Sequence, residues 1–267
     1  MSRNRYRVIS ICPESTRVVL AQCREHQTTL TGLVHALILR GLADCFDPIS
    51  CIDTMIPISA RRYLDSQHLG SDSAMGVYVF QFRYVSPLSK EPNINYEKFH
   101  RTTDNSTNAV RQIIDESIWN AARQMSTALH KFLETENPGW LITSSPSRDA
   151  STIAVVNGLK SRLGTARDFD LALSNLGAHQ FGTSTTTAGT NPTTPHPHRP
   201  AVQRVGFTQP CSEAMSALKA NVVGVRNGSI VVCLDATWPD VEDSVLTTLV
   251  DRLRLSLQLS SQPPSVV

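Results

Sequence analysis

The chain has 267 residues, of which 40% are hydrophobic, enough apolar material for one large domain or two small ones. Its formal net charge is +2 and 6% of its residues are aromatic, so no nucleic-acid partner is expected. No stretch approaches the roughly 18 consecutive apolar residues of a membrane span. The six cysteines are scattered without metal-ligand spacing, which predicts reduced thiols and a cytoplasmic location.

The first part of the chain predicts a tail and two helices. Residues 1–14 are interpreted as an N-terminal tail, in which the short apolar run Val8–Cys12 follows a basic start. Ser15 is predicted to cap a first helix that ends near His26. Thr31 is predicted to cap a second helix, whose apolar residues recur at helical spacing.

Strands and a long helix are predicted next. Apolar residues share one face of Cys51–Ile58, and β-branched and aromatic residues are dense in Met75–Val85, as is typical of strands. Asn108–Glu134 carries an apolar stripe that predicts a long amphipathic helix. A shorter helix is expected over Ser151–Leu163 and a strand over Asp168–Leu173.

The last third begins with a low-complexity segment, residues 184–200, which predicts a flexible loop. Asn227-Gly228 lies between two β-branched runs and predicts a hairpin. A final helix is expected over Val241–Leu257, with a disordered tail at 259–267. Helices that alternate irregularly with strands predict a layered, mixed α/β fold.

Four segments, in this order, resemble the C-terminal half of fungal alcohol O-acetyltransferases of the condensation-like superfamily. They are CREHQTTLTGLVHALILRGLA (23–43), the strand pair with Pro57, Arg61 and Met75-Gly76, DFDLALSNLG (168–177), and Phe207-Thr208-Gln209 followed by NVVGVRNGSIVVCLDATWPD. Val77 stands where the family has Asn. The resemblance spans most of residues 15–257.

The resemblance implies a chloramphenicol-acetyltransferase-like fold, in which two similar α/β subdomains enclose a tunnel. Residues 15–258 would form one such subdomain, a mixed sheet flanked by helices. Acyl-CoA would enter one end of the tunnel and an alcohol the other. The family's catalytic motif, HHxxxDG, belongs to the N-terminal subdomain, and its second His is the general base. The motif is absent from this chain.

The implied function is O-acyl transfer from acetyl-CoA to the hydroxyl of a small alcohol or secondary metabolite. The chain would be incomplete without an N-terminal HHxxxDG half, supplied by a partner chain or lost from a truncated gene model. No bound cofactor is expected, since acetyl-CoA is a co-substrate. The alternative is a non-catalytic acyltransferase remnant that acts as a binding or partner module.

Two histidine segments match HxxxD by letters, beginning at His68 and His100. Neither has the leading second His or the trailing Gly, so both are interpreted as solvated loop histidines. His100 is kept as the alternative catalytic candidate, because Tyr96, Lys98 and Arg101 surround it in sequence.

Two other histidine positions suggest structural roles. His35 lies on the buried stripe of the second helix and is interpreted as a packed core residue. His196 and His198 have no third ligand in view, so no metal site is predicted.

Ser174 and Asn175 are the principal catalytic candidates. The resemblance implies that this strand end faces the tunnel, where a hydroxyl would donate to the tetrahedral oxyanion. The structural alternative is a strand that simply ends in a turn. Thr208 and Gln209 are implied to lie near the tunnel and to contact the acyl-CoA, although Pro210 leaves a purely structural role open.

Overall fold

The computed structural model describes residues 3–46, 51–63, 79–87, 114–135, 157, 161, 164–180, 202–211 and 215–259. The strands and helices in these ranges are β1 Arg3–Ile11, α1 Pro13–Glu25, α2 Leu30–Cys45, β2 Cys51–Ser59, β3 Val79–Pro87, α3 Glu116–Thr135, β4 Phe169–His179, β5 Ser216–Val225, β6 Ile230–Trp238 and α4 Asp243–Leu259.

The six strands form one mixed sheet in the order β1-β6-β5-β4-β2-β3. β4 is parallel to both of its neighbours, β2 and β5, whereas the outer pairs are antiparallel. The predicted mixed α/β architecture with flanking helices is therefore confirmed.

The predicted hairpin joins β5 and β6. The amide of Gly228 donates to the carbonyl of Val225 at 2.8 Å. Asn227 takes the left-handed conformation that closes the turn, with φ 58°, because its short polar side chain tolerates that region better than other non-glycine residues.

Helices cover one face of the sheet, which we call the helix face; the opposite side is the far face. Contacts run from α2 to β4, from α3 to β3, and from α4 to β1 and β6. The core between these layers contains the largest fully buried side chains: Ile9, Ile11, Leu33, Ile38, Met125, Leu171, Leu173, Leu234, Leu246, Leu249 and Leu253.

The interpretation of residues 1–14 as a tail is wrong for Arg3–Ile11, which forms β1 and pairs with β6. Ile9 and Ile11 are fully buried, but two arginines precede them on the same face. Arg5 and Arg7 lie at the sheet edge and contact Asp243 at 3.3 and 2.8 Å. Charged residues on the inward side disguised the alternation that identifies a strand.

The helix caps also differ from the sequence prediction. Cys12, not Ser15, is the N-cap of α1, and Pro13 occupies the first helical turn. Thr29, not Thr31, caps α2 and accepts from the amide of Gly32 at 3.1 Å. The predicted caps were two or three residues too late. Each helix start contains more than one side chain that can accept from a backbone amide, and the sequence does not show which one does.

The remaining predicted elements are found where the structure describes them. Cys51–Ile58 is confirmed as β2, and the described part of Met75–Val85 lies in β3. The long helix begins at Glu116 rather than Asn108 among the described residues, with Asp115 accepting from the amide of Ile118 at 3.0 Å. Residues 75–78, 108–113, 184–200, 260–267 and most of 151–163 lie outside the described residues.

At Gly32, the backbone of α2 lies close to the backbone of α3. A Cβ at this position would lie 2.5 Å from the carbonyl oxygen of Ala122 and 2.8 Å from Thr28 Oγ1. Gly41, on the same helix, would place its Cβ 2.5 Å from Leu249 Cδ2, the end of a flexible side chain.

Gly32→Ala is therefore expected to lower the free energy of unfolding by about 1–3 kcal/mol, because a helix backbone cannot move aside. Gly41→Ala is the matched control. Its smaller cost is offset by the helix propensity of Ala, which exceeds that of Gly by about 1 kcal/mol. Urea unfolding measures both; equal losses would contradict the close approach of the helices.

Candidate functional site

The middle of β4 places two polar residues on opposite faces of the sheet. The prediction that this strand ends at Leu173 is wrong, since β4 continues to His179. Side chains alternate along a strand, so Leu171 and Leu173 enter the core while Ser174 points to the far face. Ser174 is 8% exposed. It stands opposite Asn221 in the parallel register of β4 and β5.

Asn175 is bonded on the helix face through both ends of its amide. Its Nδ2 donates to Thr31 Oγ1 at 2.9 Å, and its Oδ1 accepts from the amide of Gly177 at 2.8 Å. Gly177 has φ 77°, which favours glycine. The register between β4 and β5 shifts between Asn175 and Ala178. Asn175 thus fixes a bulge at the strand end and ties it to the first turn of α2.

The far face beside Ser174 carries a buried polar pair. Asn221 Nδ2 donates to Asp235 Oδ2 at 2.8 Å, and the two residues are 1% and 3% exposed. Burial raises the pKa of the Asp235 carboxyl, against the opposing effects of the Asn221 hydrogen bond and the Lys219 charge. Asn221 Oδ1 is buried with no hydrogen-bond partner among the described residues, so this face retains an open acceptor.

Residues 202–211, which we call the strap, cross the far face of β5 and β6. The amide of Gln209 bonds to the Asp235 carboxylate. Lys219 Nζ donates to the carbonyl of Pro210 at 2.9 Å, and Cys211 Sγ donates to the carbonyl of Asp235 at 3.2 Å. The strap is therefore held by contacts that involve side chains of the sheet and of the strap, rather than by a strand ladder.

The structure connects the two predicted pairs through residues that the sequence analysis missed. Thr208 and Gln209 have exposed side chains on the strap, and only the backbone of Gln209 joins the network. The path from Gln209 runs through Asp235 and Asn221 to the position beside Ser174. One sequence signal could have revealed this network. Lys219 and Asn221 occupy alternate positions of β5, and Asp235 lies in β6, although both strands are otherwise mainly apolar.

The histidine candidates separate into one described residue and four others. His35 is 1% exposed and its Nε2 lies 3.0 Å from Thr54 Oγ1, so the interpretation as a packed core residue is confirmed. Burial lowers its pKa to about 4, which keeps the ring neutral at physiological pH. His68, His100, His196 and His198 lie outside the described residues.

Among the described residues around Ser174, the geometry supplies a hydrogen-bond donor but no exposed base. The Ser174 hydroxyl can donate to a developing oxyanion on the far face. Asp235 is buried and bonded to Asn221 and Gln209, so it cannot reach a substrate hydroxyl. The network contains no imidazole. Among the described residues no three His, Cys, Asp or Glu side chains cluster as they would around a metal ion.

No protein-family model and no curated protein matches the chain. Solved structures do. A trichothecene 15-O-acetyltransferase from Fusarium sporotrichioides is similar over 97% of this chain and 47% of its own, with 14% identity and a TM-score of 0.57. Polyketide synthase associated protein 5 from Mycobacterium tuberculosis is similar over 96% and 52%, with 12% identity and a TM-score of 0.52.

The condensation domain of the Monacolin K polyketide synthase MokA is similar over 99% of this chain and 48% of its own, with 10% identity and a TM-score of 0.51. The chain therefore has the fold of condensation-type, chloramphenicol-acetyltransferase-like acyltransferases. It spans about half the length of these structures.

Asn175→Ala is expected to lower the free energy of unfolding by about 1–2 kcal/mol, since it removes two hydrogen bonds worth roughly 1 kcal/mol each. Asn175→Asp keeps the acceptor for Gly177, can accept from the Thr31 hydroxyl, and adds a negative charge near the start of α2. It should retain most of the stability. Leu176→Ala, at a side chain that is 52% exposed, is the near-neutral control in thermal and urea unfolding. A loss for Asn175→Asp as large as for Asn175→Ala would contradict this role.

Asp235 is expected to make stability depend on pH. Because its pKa is raised in the folded state above the ordinary value of 3.8, its contribution is fully present below that value. It is lost as the pH rises through the folded-state pKa. Asp235→Asn keeps an acceptor for Asn221 and does not titrate. The free energy of unfolding of this variant should gain on that of the wild type as the pH rises above the ordinary pKa of 3.8. A constant difference between the two urea midpoints would contradict the burial of a charged Asp235.

Proposed function

We propose that the chain is the C-terminal half of an acyl-CoA-dependent O-acyltransferase. The reaction transfers an acetyl group from acetyl-CoA to the hydroxyl of a small alcohol or secondary metabolite. One observation carries the proposal: a buried serine, Ser174, lies on the far face in the middle of a central strand, in a fold shared with about half of an O-acetyltransferase.

In the proposed reaction the alcohol oxygen attacks the thioester carbonyl carbon, and a general base removes the hydroxyl proton. The tetrahedral oxyanion then collapses, the carbon–sulfur bond breaks, and the CoA sulfur leaves as a thiolate that takes up the proton. Ser174 donates its hydroxyl hydrogen to the oxyanion. Asn175 positions the strand end through Thr31 and Gly177. Acetyl-CoA is a co-substrate, and no bound cofactor takes part.

The base comes from a second half that bears HHxxxDG, and this half is the proposed partner. Apolar side chains that such a partner would cover are exposed on the far face and at the strand end. Tyr6, Val8 and Leu176 are 62%, 48% and 52% exposed. Thr208 and Gln209 on the strap are proposed to contact the acyl-CoA.

We further propose a reducing compartment such as the cytoplasm. All six cysteines fall within the described residues and are free thiols; Cys23, Cys211 and Cys233 are buried. Within the described ranges, no helix combines the length and apolar character needed to cross a bilayer.

A thiol-release assay with acetyl-CoA and a panel of alcohols tests the proposal. The chain alone should show little turnover, because a general base contributes about 10²–10⁴ in rate. Addition of an N-terminal half bearing HHxxxDG should restore turnover. Ser174→Ala should then lower kcat by about 10²–10³.

Ser216→Ala is the matched control. Ser216 is fully buried on the neighbouring strand, and its Oγ has no partner among the described residues, so its removal should leave kcat unchanged. An equal loss in both variants would contradict the role of Ser174. Robust turnover by the chain alone that His100→Ala abolishes, and His68→Ala does not, would assign the base to His100 instead. Absence of turnover with the added half, despite formation of a complex, would favour the non-catalytic binding module.

A further inference from the structure

A cavity of about 270 Å³ lies between α2, the end of β3 and the start of α3. It is on the helix face, whereas Ser174 points to the far face. Ser86, which lines the cavity, pairs with Ile52 near the start of β2. Because β2 and β4 are parallel, with Thr54 beside Leu171, Ser174 lies further toward the other end of these strands. The cavity is therefore separate from the proposed acyl-transfer site.

Two deeply buried side chains of the cavity wall each have a polar atom with no partner among the described residues. They are His35, through its Nδ1, and Ser86, through its Oγ, and they are 1% and 4% exposed. Tyr84 meets the His35 ring edge to face at 5.7 Å and precedes Ser86 by two residues on the same face of β3. Buried polar groups without a hydrogen bond are unfavourable and uncommon, and a ligand that bonds to both accounts for them.

The hydrogen bond on the other side of the His35 ring determines what its Nδ1 can do. Nε2 of His35 lies 3.0 Å from Oγ1 of the fully buried Thr54. The Thr54 hydroxyl makes no other hydrogen bond among the described residues, so donating its hydrogen to Nε2 leaves the fewest groups unmet. Burial lowers the pKa of His35 to about 4, which keeps the ring neutral with a single hydrogen. That hydrogen is then on Nδ1, and Nδ1 is a donor.

The two unpartnered groups match a carbonyl oxygen. Such an oxygen has two lone pairs and brings no hydrogen of its own, so it can accept from His35 Nδ1 and from the Ser86 hydroxyl together. An alcohol brings one further hydrogen and a water molecule brings two. Among the described lining residues, no other buried side-chain acceptor is unpartnered. A carbonyl group is therefore the simplest partner that satisfies both side chains.

The rest of the wall suits a compact, uncharged ligand. Its volume exceeds the roughly 150 Å³ of a cavity that holds benzene and lies just below the range of about 300–1,000 Å³ for drug-sized ligands. Arg40 also lines the cavity but already interacts with other groups of the protein, so its charge is not assigned to the ligand. An ionised ligand would lose its hydration beside a neutral His35. Apolar side chains of both helices form much of the remaining wall: Ala36, Leu39, Ala43, Ile118 and Ala121.

We propose that this cavity binds a small neutral carbonyl compound. The carbonyl oxygen accepts from Nδ1 of His35 and from Oγ of Ser86. The apolar body of the ligand lies against Leu39, Ile118 and Ala121. A short aryl or alkyl ketone is the simplest ligand of this class. No bond is made or broken, and the site is independent of the acyl-transfer reaction.

Isothermal titration of the full chain with acetophenone and with ethylbenzene, which lacks the carbonyl oxygen, tests the hydrogen bonds. Ser86→Ala should weaken acetophenone binding about two- to tenfold, since it removes one hydrogen bond, and should not weaken ethylbenzene binding. Benzoate has nearly the shape of acetophenone and should bind at least about tenfold more weakly, because its charge is desolvated. No binding of acetophenone, an equal loss for both neutral probes, or tighter binding of benzoate would overturn the proposal.

A volume-filling pair locates the site. Ala121→Leu fills the cavity without changing any polar group and should abolish acetophenone binding. Ala128→Leu, two turns further along α3 at another partly buried alanine outside the cavity, makes the same change in volume and helix propensity and should bind like the wild type. Acetophenone binding that survives Ala121→Leu would place the ligand elsewhere and refute the assignment.

Nitrogen-15 NMR of the His35 ring tests the donor directly and needs no variant. The spectrum of the free chain should show a neutral ring with its hydrogen on Nδ1, and this resonance should move when acetophenone is added. A ring hydrogen on Nε2, or an Nδ1 resonance that saturating acetophenone does not move, would contradict the proposed hydrogen bond.

Discussion

The burial of α2 is the constraint on which the structure depends. Every residue from Gly32 to Ala43 is buried, because the helix lies between the sheet and the helices α3 and α4. A helix in this position cannot satisfy its polar groups with water, so they must bond within the protein. At its start, Ser126 Oγ bonds to Thr29 and Asn175 bonds to Thr31. In its interior, His35 bonds to Thr54. The segment of β4 that carries Ser174 and Asn175, the buried His35 and the cavity beside it are all attached to this one helix.

Buried polar side chains are hydrogen-bonded differently on the two faces of the sheet. On the helix face, polar groups are isolated among apolar side chains. Some of their atoms, such as His35 Nδ1 and Ser216 Oγ, have no partner among the described residues. On the far face, Asn221, Asp235 and Lys219 form a connected network that holds the strap. A network of this kind is stable only when its members are bonded, and it then fixes a single arrangement. The strap is thus kept on β5 and β6 without a strand ladder.

Sequence patterns predicted the elements whose apolar residues follow one period, such as β2, the β5–β6 hairpin and α4. They failed for β1, where Arg5 and Arg7 take inward positions that the ion pair with Asp243 makes tolerable. The helical pattern also predicted that His35 lies in the core, but it did not predict that His35 contacts Thr54 and Tyr84. A cavity needs three elements to meet, and no local pattern encodes that meeting. For the same reason Ser174 was found by resemblance, whereas Asn221 and Asp235 were not found: their significance lies in the register between strands, which a single strand does not contain.

The register of β4 and β5 also bears on how Ser174 would act in the proposed reaction. A serine hydroxyl has one hydrogen, and it can serve an oxyanion only when that hydrogen is not held by another acceptor. Asn221, opposite Ser174, has its Nδ2 fixed by Asp235 and its Oδ1 without a partner among the described residues. The buried carboxylate therefore fixes which end of the Asn221 amide is bonded and which remains open. With the amide held in this orientation, its open end is an acceptor rather than a donor, so it cannot assist Ser174 in donating to the oxyanion.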